Sequence, residues 1–364
     1  MDIYRKIAIV LIVLLFSYIL FRLVSQRIII RKNQESAAEV AEGAEGTKGV
    51  EGFTPQNSQV LAIQKANTIA PNITNMNNNI INKSLEKVYI KSAYGGGYDG
   101  EDVSIDMLNY TLSLGYRYIV IHVFYDDVND GNAPKLSASK TAVVGFSSAY
   151  SPLANTAKKT LSLYDFIEAI QQNAFSSTSP NSGDPVFLHI LPAYKQPESD
   201  MNQSLIQEAK GLNTQLNSQI EQALQVLKGT NRFSTNVKIT SSLERVKGKF
   251  ITVMDTMSVD GNMTDNLKEL ISLSVPIKNL QSVKGMKKPK DDIWNVVVPI
   301  DENGKLLTNN SDYVNKYRGY KINASPVCMW ESRFIVSGLG STSGKTNLGE
   351  YEQLFASEGS AFVI

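Results

Sequence analysis

From Val88 to the C-terminus, short β-rich runs alternate with helical ones, and that alternation most constrains what this chain can fold into. KVYIKSAY and RYIVIHVFY are strand-like, the second reading as a buried strand rich in Tyr, Ile and Val. Between them SIDMLNYTLSLG is helical and closes on a glycine, the residue that accepts the left-handed conformation at a helix end. TLSLYDFIEAIQQNAF opens at a Thr or Ser cap and sets Leu161, Phe166, Ile170 and Phe175 at near-helical spacing. PVFLHILPAY is again strand-like. DMNQSLIQEAKGLNTQLNSQIEQALQVLKG is one long amphipathic helix or two broken near Gly211. GKFITVMDT, WNVVVPI and PVCMWESRF supply later strands, while strand signals are weak from about 257 to 290. The pattern predicts an α/β domain whose length suits a single (β/α)8 TIM barrel, with an open doubly wound sheet as the rival.

Composition narrows the function classes. A chain of 364 residues, 42% hydrophobic and 20% charged, fits one large or two modest globular domains. A net charge of +1 provides no basic face for nucleic acid, so no nucleic-acid partner is expected. A single cysteine, Cys328, forbids an intramolecular disulfide and any zinc site built on several thiolates. That usage suits a reducing compartment.

Ahead of the domain stands IAIVLIVLLFSYILF, Ile7 to Phe21, extended by Leu23 and Val24 with Arg22 placed to snorkel. About 18 residues make roughly 27 Å of helix, enough for a thin bilayer. Residues 1–32 therefore read as an anchor with a basic flank, in which Ile7, Val10, Leu14, Tyr18, Phe21 and Arg22 meet the lipid bilayer. A cleaved signal peptide is the rival reading, but RLVSQRIIIRK is a poor cleavage context. Arg22, Arg27, Arg31 and Lys32 outnumber Arg5 and Lys6, which places the C-terminal body of this single-pass protein on the cytosolic side. Residues 33–87 follow as a flexible low-complexity tether or arm. The first part holds five glutamates and one lysine among many Gly and Ala, and the rest is Asn-rich. The globular domain then spans 88–364.

Several stretches, in order, resemble the X region of phosphatidylinositol-specific phospholipases C. They are IKSAYGGGYDG, LNYTLSLGYRYIVIHVFYD, AVVGFSSA, TLSLYDFIEAIQQNAFSS, DPVFLHIL, LERVKGKFITVMD and the tail YEQLFASEGSAFVI. The resemblance implies a phospholipase-C-like barrel, and degenerate forms of this kind are similar to sequences from large nucleocytoplasmic DNA viruses. The family's chemistry uses two histidines as base and acid, with carboxylates holding calcium in the eukaryotic type. Carried over by position, the first histidine and following Asn fall on Ala93 and Tyr94. The Glu and Asp of the next strand fall on Val120 and His122, the later histidine near Val144 and Gly145, and a further Glu on Leu191. The catalytic set is thus not intact, and neither a metal nor a cofactor is called for.

Only two histidines occur in the chain. Alternation puts Val120, His122 and Phe124 on one face of their strand and His189 with Leu191 on one face of theirs, which allows both histidines to face inward. Tyr94, Arg117, His122 and His189 are the candidate pocket, either as a rebuilt phosphodiesterase site or, for the histidines, as neutral hydrogen-bonded core residues. Tyr98, Tyr125 and Tyr150 either rim that pocket or pack. GLGSTSGKT, Gly338 to Thr346, lacks the glycine spacing of a phosphate loop, and KGMKKPKDD reads as a solvated loop. The expected function is that of a membrane-anchored, catalytically inactive structural or binding module, a minor capsid or inner-membrane-associated virion protein. Its partners would be other virion or membrane-complex proteins. The alternatives are a phosphoric diester hydrolase around His122 and His189, or a non-cutting binder of lipid head groups.

Overall fold

The computed structural model describes residues 57–66, 72–127, 140–147, 154–195, 202–255, 263–275, 277–278, 296–297 and 347–364. Contacts divide the chain into units 1–54 and 55–364, and all described residues fall in the second. The apolar stretch 7–24, the acidic tether, KGMKKPKDD, PVCMWESRF and GLGSTSGKT lie outside them. Among the described residues no helix is long and apolar enough to cross a membrane.

The described part of the arm before the first strand, 57–66 and 72–87, is packed, which corrects the expectation of a loose arm for those residues. Helices α1 (Ser58–Ala66) and α2 (Asn78–Ile81) belong to a segment that buries Val60, Ile63, Ile73, Met76, Ile80 and Leu85. The Asn-rich composition concealed this because the amides serve as caps and braces. Asn57 accepts the Gln59 N–H, and Asn77 caps α2 by accepting from Asn79 and Ile80. Asn75 accepts the Gly183 N–H at 2.7 Å.

The remaining elements run β1 (Tyr89–Ile90), β2 (Ser92–Tyr94), α3 (Ile105–Ser113), β3 (Tyr118–Asp127), β4 (Lys140–Gly145), β5 (Leu161–Ser162) and α4 (Leu163–Asn173). There follow β6 (Val186–Pro192), α5 (Gln203–Lys228), α6 (Leu243–Val246), β7 (Phe250–Met254), α7 (Asp265–Leu270) and β8 (Leu273–Ser274). Last come β9 (Ile277–Lys278), β10 (Val296–Val297), α8 (Asn347–Glu358) and β11 (Phe362–Val363). The alternation predicted from sequence is therefore an α/β fold.

The main sheet has the order β5-β4-β3-β6-β7-β8, with β2 also paired to β3. β3 is the branch point. Its lower residues pair with β2 in parallel, from Ser92↔Tyr118 to Tyr94↔Val120, and its upper ones with β4 antiparallel, from His122↔Gly145 to Asp127↔Lys140. β6, β7 and β8 continue in parallel. The described residues trace five parallel strands and an antiparallel hairpin in this sheet rather than a ring of eight.

Local chemistry sets the helix ends. Ser104 caps α3 by accepting the Met107 N–H. Gly115, at φ +79°, closes it as Gly115 and Tyr116 donate to Leu112 and Thr111, the paired bonds of a Schellman end. α4 starts at Leu163 under a Ser162 cap, so Leu161 belongs to the preceding strand. α5 runs unbroken through Gly211, since its buried face from Ala209 through Leu216, Ile220, Leu224 and Leu227 keeps helical rhythm across the glycine.

Candidate functional site

Strand register gathers five of the six positions to which the family resemblance assigns catalysis. Val120 lies beside Tyr94 on β2 and His189 on β6, while His122 lies beside Gly145 on β4 and Leu191 on β6. Side chains of paired residues share a face, and alternation adds Tyr118 to it. The patch lies toward the carboxyl ends of parallel strands, where α/β folds place their sites. Ala93, paired with Ile119, is one residue out of phase and projects to the opposite face.

Each histidine is tied to a tyrosine two residues down the neighbouring strand. His122 Nε2 lies 2.9 Å from the Tyr94 hydroxyl, and His189 Nδ1 lies 2.8 Å from the Tyr118 hydroxyl. The other ring nitrogens, His122 Nδ1 and His189 Nε2, are buried without a hydrogen-bond partner. Burial lowers both imidazoles to about 3, with the neighbouring His122 a second cause for His189. Both are neutral at neutral pH. Burial, and then Asp255, raise the Tyr118 phenol well above its usual range.

Aromatic packing closes this patch. The Phe146 ring meets Tyr94 edge-on at 5.9 Å and His122 at 5.5 Å, and Tyr98 stacks flat on Phe146 at 4.1 Å. Tyr94, His122 and His189 are 0% exposed and Phe146 is 2% exposed. Glycines make the closure possible. A Cβ on Gly95 would stand 2.6 Å from the Phe146 ring, and one on Gly145 would stand 2.5 Å from Asn155 Oδ1 and 2.8 Å from Phe124. The GGG turn is thus shaped to seat an aromatic ring.

Arg117 does not join the candidate pocket, a correction to the sequence reading. It precedes β3, five residues from His122 and roughly 16 Å away along an extended strand. Its guanidinium is fully buried at the other end of the sheet, donating to Ala174 O, Ser179 Oγ and Asn181 Oδ1. Burial lowers it to about 10, opposed by Asp184. Tyr98 is a packing residue, Tyr125 bonds Gln215 at 2.8 Å, and Tyr150 lies outside the described residues. Sequence reasoning missed Phe146 and Tyr118, although the alternation that pairs Val120 with His122 also points to Tyr118.

Among the described residues no three or more His, Cys, Asp or Glu side chains gather as a metal site. Tyr94, Val120, His122, Gly145, His189 and Leu191 carry no formal charge at neutral pH. A phosphodiester would find no counter-charge among them.

No protein-family model matches the chain, and no curated protein matches it. Solved structures do. PLC21 of S. officinalis is similar at 12% identity and TM-score 0.48, over 78% of this chain and 37% of that one. A calcium-dependent phosphoinositol-specific phospholipase C from Pseudomonas sp. gives 10% identity and TM-score 0.39, over 77% of this chain and 99% of that one. A glycerophosphodiester phosphodiesterase from Parabacteroides distasonis gives 13% and 0.32, over 74% and 98%. The chain thus spans little more than a third of the S. officinalis protein, and likeness at these values concerns the chain trace alone.

Proposed function

We propose that this chain is a membrane-anchored, phospholipase-C-like barrel that has lost catalysis and serves as a structural or binding module. Its setting would be a virion, between inner membrane and capsid, with the domain on the cytosolic side and other virion or membrane-complex proteins as partners. One observation carries the loss of catalysis. The positions where the resemblance calls for a base, an acid and a carboxylate cage hold Tyr94, Val120, His122, Gly145 and Leu191, and the Phe146–Tyr98 stack closes over them. A general base must reach the proton it abstracts, and rings with no exposed surface reach nothing outside. The apolar stretch 7–24 and its basic flank support the anchor.

The rival reading, a phosphoric diester hydrolase around His122 and His189, is favoured by the two unpartnered ring nitrogens. A non-cutting binder of lipid head groups would need the same patch open. One assay separates the hydrolase from the other two. The full chain is incubated with phosphatidylinositol vesicles, with and without calcium, and water-soluble inositol phosphate is counted beside His122→Ala. The expected result is no turnover from folded protein under either condition. Turnover abolished in His122→Ala would overturn the inactive reading.

A further inference from the structure

The amino end of the parallel strands carries a charge that the net value of +1 conceals. Two segments meet there. Residues 82–87 run antiparallel to 239–243, with Ser84 bridged to Ser242. The Leu85 N–H donates to Ser241 O at 2.9 Å, Glu86 N–H to Ile239 O at 3.0 Å and Leu243 N–H to Lys83 O at 2.9 Å. The loop from the end of α5 to β7 continues this surface. Its Arg232 O accepts the Phe250 N–H at 2.7 Å, and Lys249 Nζ donates to Asn231 O at 2.6 Å.

The first segment brings Lys83 and Lys87, and residues 228–249 bring Lys228, Arg232, Lys238, Arg245, Lys247 and Lys249. All are exposed except Lys249, which is half-buried. The acids of both segments are Glu86 and Glu244, and Asp184 behind Lys247 is buried against the Met76 N–H and Arg117. Glu269 and Glu358, in the last turns of α7 and α8, still leave the cations in excess. The ion pairs among the described residues are Lys91–Glu352, Lys158–Glu101, Lys159–Asp102 and Lys268–Asp265, so none takes a cation of this face. Arg232 is held in place by Phe175, whose ring centroid lies 4.6 Å from the guanidinium carbon.

A charge run along one helix is ordinarily a solvated face. Here separate segments converge, and what else the face displays indicates its partner. The large hydrophobic side chains left exposed among the described residues are Ile105, Tyr164, Leu205 and Ile364, and none lies in these segments. A protein interface draws its core from apolar and aromatic groups and is depleted in lysine. Single-stranded nucleic acid calls for rings that stack on its bases. Instead, exposed Asn231, Thr235, Asn236 and Thr240 set neutral donors among the cations, the mixture that phosphate oxygens accept. We propose that this face binds the phosphate backbone of double-stranded nucleic acid without reading its sequence. It lies at the opposite end of the strands from the closed patch, and it does not depend on whether that patch catalyses. Net charge averages the face away, because Asp99, Glu101, Asp102, Asp106 and Asp165 at the carboxyl end offset it in the sum.

The test holds the full chain in nonionic-detergent micelles and follows a short labelled DNA duplex of mixed sequence by fluorescence anisotropy, with circular dichroism confirming the fold of each variant. Affinity is expected to fall about a hundredfold or more between about 50 and about 200 mM salt, the mark of counter-ions released from phosphates. Lys238→Gln, Arg245→Gln and Lys247→Gln combined are expected to weaken binding about tenfold and to lower the salt slope by roughly 2–3, while Lys158→Gln with Lys159→Gln changes neither. A duplex of unrelated sequence is expected to bind equally well. Absence of binding by folded protein at low salt, or binding that survives the triple variant, overturns the proposal. So does displacement of the duplex, charge for charge, more readily by micelles containing phosphatidylserine or by polyglutamate than by unlabelled duplex, which would place a lipid surface or an acidic protein there instead.

Discussion

Two glycines show how differently one residue type acts in this chain. Gly95 holds φ +67°, and its absent side chain leaves room for Phe146. Gly95→Ala would combine left-handed strain with an aromatic clash and is expected to cost about 2 kcal/mol or more. Gly211 lies within α5 with no atom within 4 Å of an added Cβ. Gly211→Ala is expected to add about 0.5–1 kcal/mol, because it restricts the unfolded chain and suits the helix. Urea denaturation of the two variants measures both. In the sequence Gly211 leaves one helix or two open, and GGG carries no sign of the ring beside it. Each reading turns on tertiary neighbours, the long buried face that carries α5 through one glycine and the ring that needs the other.

At the scale of elements, the C-terminus is latched to the first strands. β11 pairs antiparallel with β1, and α8 brings Glu352 within 2.5 Å of Lys91 Nζ. Tyr116 donates its hydroxyl to the other carboxylate oxygen at 2.5 Å, and Lys91 also donates to Leu114 O. Burial lowers the Lys91 ammonium from its ordinary range, and Glu352 works against that shift. A buried pair broken on one side leaves a charge without compensation. Lys91→Met or Glu352→Gln alone is expected to cost about 3–5 kcal/mol, and Lys91→Met with Glu352→Leu much less than the sum. A double-mutant cycle in guanidinium reads the coupling. The tail YEQLFASEGSAFVI carries the family resemblance in sequence, but a lysine and a glutamate 261 positions apart cannot be matched from one chain.

For the whole molecule, the closed patch predicts a pH response. His122 and His189 are held near 3 by burial, below the unfolded value of about 6.5. The unfolded chain therefore binds protons first as pH falls. The stability linked to neutral imidazole is full above about 6.5 and declines down to about 3. Between pH 7 and 5 each histidine is expected to withdraw about 2 kcal/mol. Asp184 acts in the opposite sense. Burial raises it to about 6 despite the Met76 N–H and Arg117, so its protonation in the folded state returns about 1 kcal/mol over the same range. Net destabilisation of about 2–3 kcal/mol is expected by urea titration at the two pH values, with the change reduced by roughly two-thirds in His122→Gln.

The sequence by itself determined the order and type of the main elements, because apolar periodicity and capping residues act within one turn or one strand. It also put Val120 and His122 of the patch on one face, since alternation fixes which residues of a strand point the same way. The tertiary structure alone decided what that patch does. Arg117 faces the opposite end because the chain enters β3 there, and residues 57–66 and 72–87 pack because their few apolar residues find Gly115 and the core. His122 is buried and neutral because Phe146 arrives just after β4. These outcomes depend on contacts between residues distant along the chain, where no local propensity carries the information.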